Sequence, residues 1–130
     1  MSTDQRATPT RYGAVTDPGG RRAVNEDAVL ARPPMFVVAD GMGGHTHGAA
    51  ASGAVVEAFG ELAHGLAPDG SSVVTPEQVQ AAVVDAQTRI RAALGLRAPE
   101  RDHEMTAGST VAGAVLTHAD GRLCWLAFNV

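Results

Sequence analysis

Two hydrophobic periods alternate along this chain. Residues Met35–Ala39 form an unbroken apolar run, MFVVA, that ends in Asp40. A run of that length without a polar interruption predicts a central strand over Met35–Asp40, buried on both faces. Shorter runs at Arg11–Thr16 and Asp27–Ala31 predict two more strands. Asp17-Pro18-Gly19-Gly20 separates these two as a turn, since proline presets φ and glycine permits positive φ. Arg32-Pro33-Pro34 ends the second. From His47 to Ala63 the period lengthens: Ala51, Val55, Ala58 and Leu62 recur at helical spacing. Gly65–Ser72 is a loop. Thr75-Pro76-Glu77-Gln78 then opens a second helix, with Thr75 as N-cap, Pro76 at the first helical position and Gln78 completing a capping box. Its apolar stripe is Val79, Val83, Ala86, Ile90 and Leu94, and Gly95 ends it. Residues 96–107 are charged and loop-like. Ser109–Leu116 and Leu123–Val130 are strands joined at Asp120-Gly121, a hairpin signal.

Strands grouped at both ends of the chain, with two helices between, indicate an α+β fold with mainly antiparallel pairing. The 130 residues suit one domain. Residues 1–10 are polar and expected to be a flexible tail, leaving 11–130 as the domain. Aromatics are only 4%, so the core has to be built from Val, Ala, Leu and Met. A net charge of −4 without any basic run argues against nucleic acid as a main partner. All the basic residues are Arg, which rules out a P-loop lysine, and neither GxGxxG nor GxxxxGK[ST] is present. The lone Cys124 sits in an apolar run and reads as an inert buried thiol in a reducing compartment. The N-terminus lacks a signal-peptide apolar stretch, and no run approaches the ~20 apolar residues of a membrane span. No membrane partner and a cytoplasmic location are expected.

The candidate chemistry lies around FVVADGMGGH, Phe36–His45. An apolar strand running into Asp40 holds a carboxylate at the rim of a sheet, where a hard cation can reach it. The carbonyl of Gly41 can turn toward such an ion because glycine imposes no side-chain constraint. Upstream, Asn25-Glu26-Asp27 adds two carboxylates and Arg22 a guanidinium suited to bidentate phosphate binding. Oxygen donors of this kind suit Mg²⁺ and Mn²⁺ equally. Taken singly, Asp40 could be a turn aspartate, Arg22 a solvated arginine and Asn25–Asp27 an acidic turn. Their combination points to metal-dependent phosphoryl transfer. His45 and His47 form an HxH pair, but no third ligand has zinc spacing, so they read as loop residues at the start of the helix. Ser52 and Ser109 have no nearby base and read as structural.

TDPGGRRAVNEDA, FVVADGMGGHTHGAAAS and AGSTVAGAVL, in that order, resemble the metal-dependent PP2C (PPM) serine/threonine phosphatases. DGMGGH resembles the bacterial branch. The resemblance implies a sandwich of two antiparallel sheets flanked by helices. It implies that Arg22 binds phosphate, that Glu26 and Asp27 are acidic metal-site residues, that Asp40 bridges two Mn²⁺ or Mg²⁺ ions, and that Gly41 binds one through its carbonyl. It implies catalytic roles for Asp40 and Arg22, in-line attack on phosphorus by a metal-activated water, and no covalent enzyme intermediate. The implied substrates are phosphoserine and phosphothreonine proteins, which places a Ser/Thr kinase or its substrates among the expected partners. Some members carry a histidine after the DG pair as general acid. Met42 holds that position here and cannot donate a proton, so water or another residue, with His45 as a candidate, has to do so.

The family continues beyond a strand like Leu123–Val130 into a GDSR-type turn and later acidic metal ligands, which this sequence does not contain. The chain therefore reads as the N-terminal half of a PPM-type domain. Two functional readings stand side by side: a metal-dependent protein phosphatase, and a truncated, non-catalytic PP2C-like chain that binds a partner or is a degenerate gene product.

Overall fold

In the computed structural model, residues 10–43, 46–95 and 107–130 are described. The expected tail at residues 1–10 falls almost wholly outside them. Strands β1 (Asp27–Arg32) and β2 (Met35–Met42) form a hairpin turned by Pro33-Pro34, with Asp27 facing Asp40 at its open end. Helices α1 (Thr46–His64) and α2 (Pro76–Ala93) follow, then β3 (Gly108–Ser109), β4 (Ala112–Ala119) and β5 (Arg122–Asn129). The sheet runs β1-β2-β4-β5, antiparallel at every pairing, and β3 extends the pairing of β2 toward the site. This is the antiparallel α+β architecture expected from the grouping of strands. No helix among the described residues is long and apolar enough to cross a membrane.

The core lies between one face of this sheet and the helix pair. Met35, Val37 and Ala39 of β2 and Val115 of β4 meet Ala51, Val55, Ala58 and Phe59 of α1, all buried. The helix presents mostly alanine and valine, so its backbone sits close to the strands, and Phe59 fills the wider gap, stacked on Phe128 at 5.2 Å. Helix α2 packs Val79, Ala82, Ala86 and Ile90 inward. Its start carries the expected capping box: the Gln78 N–H donates to the Thr75 hydroxyl, and the Thr75 N–H to the Gln78 side chain. Gly95 follows the helix with φ +72°, a conformation glycine adopts without a Cβ clash. Arg89 ties α2 to α1 through Glu61 at 2.9 Å and Glu57 at 3.6 Å, while Asp85 holds its Nε at 2.9 Å. Glu61, first, and Asp85 raise the Arg89 pKa above the ordinary arginine value. The loop before α2 is pinned by Thr117, whose buried hydroxyl accepts from the Val74 N–H at 2.7 Å and donates to the Ser72 carbonyl. Asp120 and Gly121, both at positive φ, make the β4–β5 turn as their sequence foretold.

Three expectations require correction. Arg11–Thr16 is not a strand. It crosses the far face of the sheet instead of pairing at its edge: Gly13–Val15 line a shallow groove with Leu30, Phe36 and Val38, and the Tyr12 ring meets Phe36 at 5.3 Å. Second, β2 is central but not buried on both faces. Its helix-side residues are covered, whereas Val38 is 55% and Met42 60% exposed. Among the described residues helices cover one side of this sheet, so the unbroken apolar run is half-exposed rather than doubly buried. Third, the predicted strand Ser109–Leu116 is interrupted at Thr110 and Val111. Cys124, on β5, is only partly buried.

Candidate metal and phosphate site

The site forms where β1 begins and β2 ends. Side chains alternate along β2, so Asp40 shares the uncovered face with Phe36, Val38 and Met42. Asp27 sits directly across from Asp40 on β1. The Gly41 N–H donates to the Glu26 carbonyl at 3.1 Å, which makes the neighbouring pair, Asp27 and Asp40, one without backbone bonds between its members. Facing side chains approach most closely in such pairs, and like charges there repel. Neither carboxylate has an ion-pair partner among the described residues.

Glu26 lies one residue before β1, with its backbone carbonyl accepting from the buried Ser52 hydroxyl at 2.6 Å as well as from Gly41. Its Oε1 is buried with no hydrogen-bond partner among the described residues. Its Oε2 faces Arg22 at 3.8 Å, a long ion pair with the guanidinium largely in solvent. The first turn of α1 presses in from behind. A Cβ on Gly48 would come 2.5 Å from Glu26 Oε1, and a Cβ on Gly41 would overlap the Gly48 carbonyl oxygen. Gly41 is therefore required by space, since it meets backbone atoms, whereas a side chain at Gly48 would displace the Glu26 carboxylate.

Asn25 organises the approach to β1. Its Oδ1 accepts from the Asp27 N–H at 3.0 Å and its Nδ2 donates to the Thr16 hydroxyl at 2.7 Å, joining the N-terminal segment to the strand. Asp17, capped by the Gly19 N–H at 2.8 Å, completes one wall. The resulting polar cleft, about 260 Å³, is lined by Asp17–Gly19, Arg22, Val24–Asp27 and Asp40.

Arg22, Glu26, Asp27 and Asp40 line this one cleft, and Gly41 adjoins it through its bond to the Glu26 carbonyl. His45 lies outside the described residues, and His47 is exposed on the first turn of α1. Thr16, Gly48 and Thr110, which hold the site from outside the acidic motifs, escaped sequence reasoning. Only the small residues opening the helix and the hydroxyls at Ser109-Thr110 hinted at them.

The donor set suits a hard divalent cation. A buried carboxylate oxygen without a partner and two opposed carboxylates are arrangements that a cation or ordered water resolves. Among the described residues, however, no three His, Cys, Asp or Glu side chains gather closely enough to hold a metal by themselves. The set is a partial one.

The sequence profile of the family described as protein phosphatase 2C matches residues 20–127, which contain the entire cleft lining from Arg22 to Asp40. The chain belongs to the protein phosphatase 2C family. Over 52 residues it is 48% identical to the serine/threonine protein phosphatase PstP of Mycobacterium tuberculosis, a match covering 40% of this chain and 10% of that protein. The fold resembles the crystal structure of the M. tuberculosis phosphatase PstP/Ppp, with TM-score 0.65 and 32% identity over 91% of this chain and 46% of that one. It also resembles the catalytic domain of PstP in complex with two manganese ions, with TM-score 0.66 and 28% identity over 89% of this chain and 54% of that one. The chain thus spans about half the length of these two structures.

Proposed function

We propose that this chain carries the cation- and phosphate-binding part of a metal-dependent protein serine/threonine phosphatase domain, residues 11–130 forming its N-terminal part. The observation that carries the reading is the Asp27–Asp40 pair, opposed across β1 and β2 in one cleft with Glu26 and Arg22. Membership of the PP2C family and the likeness to the manganese-bound PstP domain support it.

In this reading Asp40 and Asp27 give carboxylate oxygens to a divalent ion, with Glu26 and the Gly41 carbonyl beside them. Bound Mn²⁺ or Mg²⁺, two ions in the family's complete site, supplies an acidified water and positive charge next to the substrate. Arg22 meets the phosphoryl oxygens of a phosphoserine or phosphothreonine side chain. Its exposed guanidinium needs little rearrangement, because a 3.8 Å contact with Glu26 is a weak tether. The end of β2 packs against the first turn of α1 at Gly41 and Gly48. Met42, exposed on the same face as Asp40, has no proton to donate, so the leaving oxygen takes its proton from water or from another residue. Phosphoproteins, and a Ser/Thr kinase acting on them, are the proposed partners, and a cytoplasmic location is proposed with them.

A second reading, in which the chain binds a cation or a partner without turnover, is favoured by one observation: no three candidate ligand side chains cluster among the described residues. Mn²⁺-dependent hydrolysis of p-nitrophenyl phosphate and of a phosphothreonine peptide, by the parent and by Asp40→Asn, separates the two. Turnover in the parent that disappears in the variant is the expected result. Equal background in both overturns the catalytic reading in favour of the binding one.

A further inference from the structure

A regular antiparallel rung with backbone bonds exchanges N–H and carbonyl groups between facing residues. The β2–β4 register, with Val38 facing Ala112, extrapolates to Asp40 opposite Thr110, and the β2–β3 register, with Gly41 facing Ser109, agrees. Only half of that rung is regular. The Thr110 N–H donates to the Asp40 carbonyl at 2.9 Å. The Asp40 N–H donates instead to the Thr110 hydroxyl, at 3.2 Å. The Thr110 carbonyl, bypassed, accepts from the Ser109 hydroxyl at 2.9 Å, and that hydroxyl also reaches the Asp40 carbonyl at 3.2 Å. The strand is interrupted here, at Thr110 and Val111 between β3 and β4.

We infer that Thr110, supported by Ser109, is a positioning residue that sets the peptide plane of Asp40 and hence the direction in which its carboxylate leaves β2. The inference rests on the reading of Asp40 as a cation ligand and deepens it by naming what aims the ligand. Thr110 is exposed, so its hydroxyl is not there to fill the core. Its β-branch restricts χ1 and holds the oxygen in one place. A side chain that substitutes for a ladder carbonyl beside a carboxylate ties that carboxylate's backbone to a group outside the ligand set, as orienting partners of metal ligands do.

The test compares the full chain with Thr110→Val, Thr110→Ser and Asp40→Asn. One readout needs no metal: the Asp40 backbone amide resonance. The other is Mn²⁺ affinity, followed by loss of the free-ion paramagnetic signal. Thr110→Val keeps the shape and removes the acceptor. It is expected to move the Asp40 amide resonance, to weaken Mn²⁺ binding about tenfold, and to leave the metal-free melting midpoint unchanged, while Thr110→Ser restores both readouts. Parent-like Mn²⁺ affinity in Thr110→Val alongside a defective Asp40→Asn overturns the positioning role and leaves the site intact. Parent-like affinity in Asp40→Asn, or no binding by the parent, overturns the reading of the site itself. If Thr110→Val does not fold, Ser109→Ala takes its place: a smaller shift of the same sign in both readouts supports the role, and no shift overturns it.

Discussion

The two faces of β2 have opposite fates. On one, Met35, Val37 and Ala39 are sealed under α1; on the other, Phe36, Val38, Asp40 and Met42 look outward, Phe36 touched by Tyr12 and by the half-exposed Trp125 at 6.0 Å. The same strand thus serves as the floor of a finished core and as the bed of an unfinished surface. The difference shows where stability and chemistry divide. The covered face supplies rigidity, through small residues that let backbones touch. The uncovered face holds the carboxylates, which must meet solvent, ions and substrate.

The sharpest way to break that comparison is to damage the covered face. Phe59→Ala empties a wholly buried ring and is expected to cost about 3–5 kcal/mol by urea unfolding. Gly41→Ala forces a Cβ against the Gly48 and Glu26 carbonyl oxygens, both backbone atoms that cannot swing aside, and should cost about 1–3 kcal/mol in the same experiment. Ser52→Ala removes the hydroxyl on the Glu26 carbonyl, an expected loss of about 1 kcal/mol. On the uncovered face, Val38→Thr should change stability by no more than about 0.5 kcal/mol. A loss like that of a core residue would show that this face is covered in solution, and sedimentation at several concentrations would then reveal a second copy.

The smallest effect expected is electrostatic and lies far from the site. The Ser71 hydroxyl and N–H hold the Asp69 carboxyl below its ordinary value of 3.8. A folded-state pKa below the unfolded one adds stability above the unfolded value, and that stability disappears as pH falls through the folded value. Asp69→Asn should therefore lower the melting midpoint slightly at pH 7 and flatten its fall below about pH 4.

Much of this was legible in the residues. Thr75-Pro76-Glu77-Gln78 announced the cap of α2, and Asp120-Gly121 the β4–β5 turn, because local chemistry decides both. The acidic motifs pointed to the cleft, where Asp40 at the end of β2 faces Asp27. What escaped depended on distant partners. Arg11–Thr16 has strand composition but no strand edge beside it. The apolar run of β2 said nothing about which face would be covered. The break at Thr110 arises because a hydroxyl competes with a carbonyl for one N–H, which no periodicity records. The need for glycine at Gly41 became plain only once α1 was seen against it.

The central claim is that Asp27 and Asp40 oppose each other in order to share a cation. Urea unfolding of the parent and of Asp40→Asn, each with and without Mn²⁺, tests it in one experiment. Without the ion, the variant loses a like-charge repulsion and should be more stable by about 0.2–1 kcal/mol. With Mn²⁺, the parent should gain stability by binding and the variant should not, so that the order reverses. A parent that Mn²⁺ does not stabilise, or a variant stabilised equally, would contradict the account.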